Sequence, residues 1–236
     1  MGGRVRFTSD RSTTVTIVNT DDLIAVDTAL ANLCEHQVLG LCAFWEPETS
    51  PEDYEPIAVL AISAGAVTVM FRIVVAESLP MGIQLLLTHQ DYIKIICGLE
   101  AGVVGKLWRD FGIELSPLHD CRTIMEAEYG VKKLFAAYRR ICPGSLYEHD
   151  ESVAHSNWNQ AGLTQKQTSF AAFEAWGARL VWMTLAKPTG FPPTCRTTPI
   201  NTSEICDSLT CPFCQARLHG PAAMQVSGHW AGQVVS

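Results

Sequence analysis

The sequence predicts an α/β domain, a mixed β-sheet with helices on its faces. Three observations carry this. Short apolar or β-branched runs recur at Thr14–Asn19, Val38–Trp45, Ile57–Ser63, Ala66–Ile73 and Ile93–Cys97, separated by segments with helical spacing. Only a short Ala-Gly turn separates Ile57–Ser63 from Ala66–Ile73, as in a hairpin. The order is strand, helix, three strands, helix, strand, helix and then helices, which fits helices packed on both faces of one sheet of about five strands.

Each element has a local reason. TVTIVN at Thr14–Asn19 alternates and is β-branched. Thr20-Asp21-Asp22 offers a helix cap before LIAVDTALANLCEH, whose apolar residues recur at helical spacing. Val38–Trp45 is a second strand, and PETSPEDYEP after it is a loop of prolines and acids. The hairpin follows, then a short helix at Met81–His89 and a strand at Ile93–Cys97. A helix over Ala101–Phe111 stops at Gly112. Helical segments are expected at Cys121–Glu128 and Val131–Cys142, and loop over Pro143–Gln160. Leu163-Thr164 caps a long helix from Gln165 to Ala186. From Pro188 the composition turns to proline and threonine, the mark of a linker. The expected organisation is therefore a flexible N-terminus (1–13), one domain (14–187), a linker (188–205) and a Cys/His-containing tail (206–236).

Composition bounds the function. With 47% hydrophobic and only 17% charged residues, the chain can bury a full core and is no disordered tail. A net charge of −7 argues against a broad phosphate-binding surface, because nucleic-acid affinity comes mostly from Lys and Arg. No apolar run is long enough to span a membrane, and MGGRVRFTSDRSTT lacks the apolar core of a signal peptide. Nine cysteines, mostly in core-like segments, suit a reducing compartment. The expectation is an intracellular protein, nuclear or cytoplasmic, without a membrane partner.

Four motifs give a resemblance. LGLCAFWEP ends the second strand, PIAVLAISAGAVTVMFRI forms the hairpin, and GVVGKLWRDFGIEL is a helix. HSNWNQAGLTQKQTSFAAFEAW opens the long helix. From about Val15 to Leu185 the chain resembles the DEDDy-type 3′–5′ exonuclease domain of the ribonuclease D and Werner-syndrome exonuclease group, a ribonuclease H-like fold. The last motif is the most specific. Ser156, Asn157, Trp158, Leu163, Thr164, Gln167, Ala171, Ala172 and Ala175 all agree with the family signature.

The resemblance implies a two-metal phosphodiesterase site of four carboxylates and a tyrosine, because Mg²⁺ or Mn²⁺ needs hard oxygen ligands. Here the family's first Asp is Cys42, the Glu two residues on is Phe44, and the helix-start Asp is Val103. The Tyr is Phe170, and the last Asp is Glu174, the one surviving carboxylate. Shifting the alignment by one residue finds nothing better. Glu46 would point to the opposite strand face and Glu100 would precede the helix. Cys, Phe and Val suit a buried face, so the pocket is expected to be filled and dry.

The resemblance then implies a catalytically degenerate domain acting as a scaffold for single-stranded nucleic acid, RNA above all, or for a protein partner. The alternatives are an active 3′–5′ exonuclease, which alone would call for Mg²⁺ or Mn²⁺, and a pure protein-interaction module.

Other features are weaker. Cys211 and Cys214 have the C-x₂-C spacing of a zinc hairpin, and His229 follows. Cys206 or His219 would have to supply the fourth ligand. The competing reading is a frayed tail with a chance CxxC. Lys132, Lys133, Arg139 and Arg140 flank Tyr138 on one helical segment, either a phosphate-facing patch or, more in keeping with the acidity, a solvated face. Trp158 reads as packing rather than base stacking. Asp120 resembles a family position that ties down the following Arg122.

Overall fold

The structure is a computed structural model that describes residues 2–8, 11–47, 54–73, 79–98 and 102–186. Among the described residues seven strands form one mixed sheet: β1 (Gly2–Arg6), β2 (Ser12–Asn19), β3 (Val38–Phe44), β4 (Val59–Ala64), β5 (Val67–Arg72), β6 (Ile93–Ile96) and β7 (Leu118–Asp120). Their order across the sheet is β1-β2-β5-β4-β3-β6-β7. β3, β4 and β5 pair antiparallel as a meander, while β2–β5, β3–β6 and β6–β7 pair parallel. Helices α1 (Leu23–Leu33), α2 (Met81–Thr88), α3 (Val103–Phe111), α4 (Cys121–Tyr129), α5 (Leu134–Ile141) and α6 (Gln165–Leu185) complete the domain, with a 3₁₀ turn at Glu151–His155.

Every residue of β4 is buried, and nearly all of β3, as expected of strands covered on both faces. The long helix α6 crosses them. Gly40 of β3 makes this approach close, because a Cβ there would sit 1.9 Å from the Ala175 carbonyl oxygen of α6. Any larger residue must push strand and helix apart.

The sheet has seven strands rather than about five, and both extra strands lie at its edges. The expected flexible N-terminus is strand β1, paired antiparallel with β2 from Gly2↔Thr16 to Arg6↔Ser12. Phe7, which follows it, is fully buried and stacks on Trp176 of α6 at 4.2 Å. The Tyr138 hydroxyl donates to the Phe7 carbonyl at 3.0 Å. β7 is three half-buried residues paired with β6. The segment expected as loop before α6 contains the 3₁₀ turn, and α5 starts at Leu134 rather than Val131. The linker and tail lie outside the described residues, as do Cys206, Cys211, Cys214, His219 and His229.

Candidate functional site

The most specific sequence motif turns out to be a hydrogen-bonded collar that fixes the start of α6. The Thr164 hydroxyl accepts from the Gln167 N–H at 3.2 Å, and the Thr164 N–H donates to Gln167 Oε1 at 2.9 Å, a capping box. Gln167 is buried and turns its Nε2 back to Ser156 Oγ (3.0 Å) and the Asn157 carbonyl (2.8 Å). Trp158 is buried too, with Nε1 donating to the Ala154 carbonyl at 3.1 Å. It stacks on Phe44 at 4.2 Å, so it packs and presents no face to a base.

With α6 so placed, Phe170 and Glu174, one turn apart, share a face. Cys42 and Phe44, two apart on β3, share another. All four meet with Val103, the first residue of α3, around one cavity of about 490 Å³. Leu41, Trp45, Pro47, Ile96, Cys97, Gly98 and His155 are among its other walls. The five positions named from the sequence therefore converge. The space between them is a hollow, not the filled pocket expected: Phe44 leans away onto Trp158 and meets Phe170 only edge-on, at 5.9 Å.

Glu174 is the one carboxylate among the described residues of that lining, its side chain 20% exposed. Burial pushes its carboxyl up to about 7, and Glu151 adds a smaller push the same way. Nearby stands a residue that the sequence did not single out. His149 is sandwiched between the rings of Phe135 (5.0 Å) and Phe170 (5.1 Å), with Nε2 3.9 Å from Glu174 Oε1. Its side chain is 9% exposed, and its Nδ1 is buried with no hydrogen-bond partner among the described residues. Burial lowers the affinity of this imidazole for a proton. Both groups are thus driven toward their neutral forms, and the contact is not an ion pair at neutral pH. His149 lies in irregular chain, where no periodicity marks it.

The Cys42 thiol is pushed well above its ordinary value by burial first and by Glu174 second. Among the described residues no group of three or more His, Cys, Asp or Glu is arranged to hold a metal ion. The fit to a pair of hard cations is poor on donor chemistry alone. Cys42 offers sulfur, Phe44 and Val103 offer no donor, and Glu174 offers a single carboxylate whose burial disfavours its charged form. Glu46 lies off the cavity, with Oε2 accepting from Asn159 Nδ2 at 3.2 Å; Glu100 lies outside the described residues.

Cations near the rim are engaged within the fold. Lys106 and Arg109 of α3 lie over the Tyr54 ring at 4.2 and 3.6 Å, and Lys106 also donates to the Glu55 carbonyl. Lys132 and Lys133 pair with Glu126 and Glu151, and Tyr138 beside Arg139 is fully buried. Arg139 lies over the Phe135 ring at 6.0 Å and Arg140 over the Tyr129 ring at 5.7 Å. Asp120 acts as the sequence suggested, with Oδ1 accepting from the N–H groups of Arg122 (2.9 Å) and Gly98 (2.8 Å). A second hollow, about 780 Å³, runs between β1 and the start of α6. Arg4, Arg6 and Lys166 line it together with Glu148 and Asp150, and Phe170 stands in its wall as well as in that of the Glu174 cavity.

This sheet order, with a cavity between the end of β3 and the face of α6, is the fold of the DEDDy-type 3′–5′ exonuclease domains, ribonuclease H-like. Among solved structures the chain is similar to NrnC of Brucella melitensis, with TM-score 0.60 and 15% identity over 91% of this chain and 98% of that one. It is also similar to RNase D of Escherichia coli, an exoribonuclease involved in structured RNA processing. There the TM-score is 0.61 and the identity 16%, over 86% of this chain and 49% of that one. In sequence it is 24% identical over 156 residues to the mouse bifunctional 3′–5′ exonuclease/ATP-dependent helicase WRN. That match takes in 65% of this chain and 11% of the relative's length. No family model matches.

Proposed function

We propose that this is a 3′–5′ exonuclease-like domain that has lost two-metal catalysis and serves as a binding scaffold for single-stranded nucleic acid, RNA in particular. The observation that carries this reading is the lining of the 490 Å³ cavity, where Glu174 is the one carboxylate among the described residues and burial pushes it up to about 7. Two cations flanking a phosphate need several ionised oxygens between them. Cys42, Phe44 and Val103 supply none.

The binding half of the reading rests on the groove of Arg4, Arg6 and Lys166 that reaches Phe170. A solved structure of the Brucella relative holds pGG, so nucleic acid is the natural first ligand to try. With two acids among its three basic residues, the groove suits modest, salt-sensitive affinity.

The test is a labelled single-stranded RNA incubated with the protein across Mg²⁺ and Mn²⁺ concentrations. Expected are binding that weakens with salt and no shortening from the 3′ end. The names of the relatives favour an active enzyme as the alternative. Metal-dependent trimming that Glu174→Ala abolishes would establish it and overturn the proposal.

A further inference from the structure

Three cysteines lie at the carboxyl ends of adjacent strands: Cys42 within β3, Cys97 just after β6, and Cys121 just after β7 as the first residue of α4. Gly40 of β3 pairs with Ile95 of β6, and Ile96 pairs with Asp120 of β7. Carried to the carboxyl ends of the strands, the two registers put Cys42 beside Cys97 and Cys97 beside Cys121. Neighbouring strands run about 4.8 Å apart, within the roughly 4.4–6.8 Å that separates the Cα atoms of a disulfide.

None of the three is in a disulfide. The Cys97 thiol lies close enough to Cys121 to raise its affinity for its proton, and Cys121 donates to Met125 Sδ at 3.9 Å. Cys42 instead points its thiol toward the Ala43 carbonyl, at 4.0 Å. Cys97 is half-buried and lines the Glu174 cavity, whereas Cys121 is fully buried behind it. One thiol therefore meets the cavity and the other lies buried beside it. Cys97 and burial keep the Cys121 thiol protonated, so Cys97 is the sulfur that reacts first and Cys121 the one that resolves.

We infer that Cys97 and Cys121 form an oxidation site, which a small hydroperoxide reaching the cavity converts to a disulfide across the ends of β6 and β7. The cavity suits such a reagent, being largely apolar and open to a molecule of a few atoms. In the first step the Cys97 sulfur attacks a peroxide oxygen. An S–O bond forms, the O–O bond breaks, and the departing oxygen takes the Cys97 proton and leaves as water or alcohol. In the second, the Cys121 sulfur attacks the Cys97 sulfur. The S–S bond forms, the S–O bond breaks, and the hydroxyl leaves as water with the Cys121 proton. The two sulfurs lose two electrons and the peroxide gains two. The closed loop spans residues 97–121 and contains α3, which carries the Val103 wall of the cavity. Oxidation would tie that wall to the sheet.

The site stands apart from nucleic-acid binding and is tested without it. The full-length chain is treated with hydrogen peroxide under native conditions, alkylated, digested and mapped by mass spectrometry. The expected product is a peptide pair joined through Cys97 and Cys121, lighter by two hydrogens and separated by dithiothreitol. It should be absent from Cys97→Ser and Cys121→Ser and retained in Cys42→Ala. The melting temperature of the oxidised wild type should rise and return on reduction. Cys97 recovered as free thiol at doses that oxidise the half-buried Cys34 would overturn the inference. So would Cys97 joined to any other cysteine, or carried to the sulfinic acid without a link. If the serine variants do not fold, the wild-type map decides alone.

Discussion

Replacing Glu174 with glutamine removes a titrating group and little else, since the two side chains have nearly the same shape. In the fold the carboxyl titrates at about 7, because burial disfavours its charged form; its ordinary value is 4.5. Between those values the native chain keeps a proton that the unfolded chain has released. Stability must therefore fall as pH rises from 4.5 to 7. The full difference, reached above pH 7, is about 3 kcal/mol at roughly 1.4 kcal/mol per pH unit. His149 acts in the opposite sense, since its lowered proton affinity costs stability as pH falls through its ordinary 6.5. That contribution is common to both proteins and largely cancels. Urea melts followed by tryptophan fluorescence at intervals between pH 4.5 and 8.5 give the comparison. Glu174→Gln should match the wild type at pH 4.5 and exceed it by about 2–3 kcal/mol at pH 8, or several degrees in melting temperature. A difference that stays flat with pH would refute the reasoning. A wild type that gains on the variant as pH rises would show Glu174 ionised and paired, and millimolar Mn²⁺ that erases the gap would show a cation beside it.

Gly40→Ala should cost about 3 kcal/mol or more, or prevent folding, because its Cβ meets the Ala175 carbonyl at 1.9 Å. Gly105→Ala, in α3 with nothing within 4 Å of the new Cβ, should stabilise by up to ~1 kcal/mol; circular-dichroism melts of the pair check both. Phe7→Ala should cost about 3–5 kcal/mol in the same melts, since the ring packs on Trp176, Tyr147 and Phe173; a flexible N-terminus would show no loss. Thr164→Ala should cost ~1 kcal/mol by removing the cap of α6.

The middle of the sheet was legible in the sequence because β3, β4 and β5 are buried on both faces and read as continuous apolar or β-branched runs. The edges were not. MGGRVR has no apolar pattern, and β1 owes its place to backbone pairing and to Phe7 just beyond it. β7 is Leu118-His119-Asp120, too short for any alternation to register. Cys42, Phe44, Phe170 and Glu174 could be placed because their motifs resemble those of the exonuclease family, and spacings of two on a strand and four on a helix then put each pair on one face. His149 could not, as nothing in the irregular chain around it says which way a side chain turns. The expectation of a filled pocket failed for a related reason. Residue volumes can be read from a sequence, but not that Phe44 would choose Trp158 as its stacking partner.

Phe170 belongs to two hollows at once, its ring forming wall for the groove of Arg4, Arg6 and Lys166 and for the cavity of Glu174. It is a wall common to a charged corridor and a largely apolar chamber, and the His149 ring stacks against it at 5.1 Å. Shortening this one side chain to alanine would take a wall from both rooms at once.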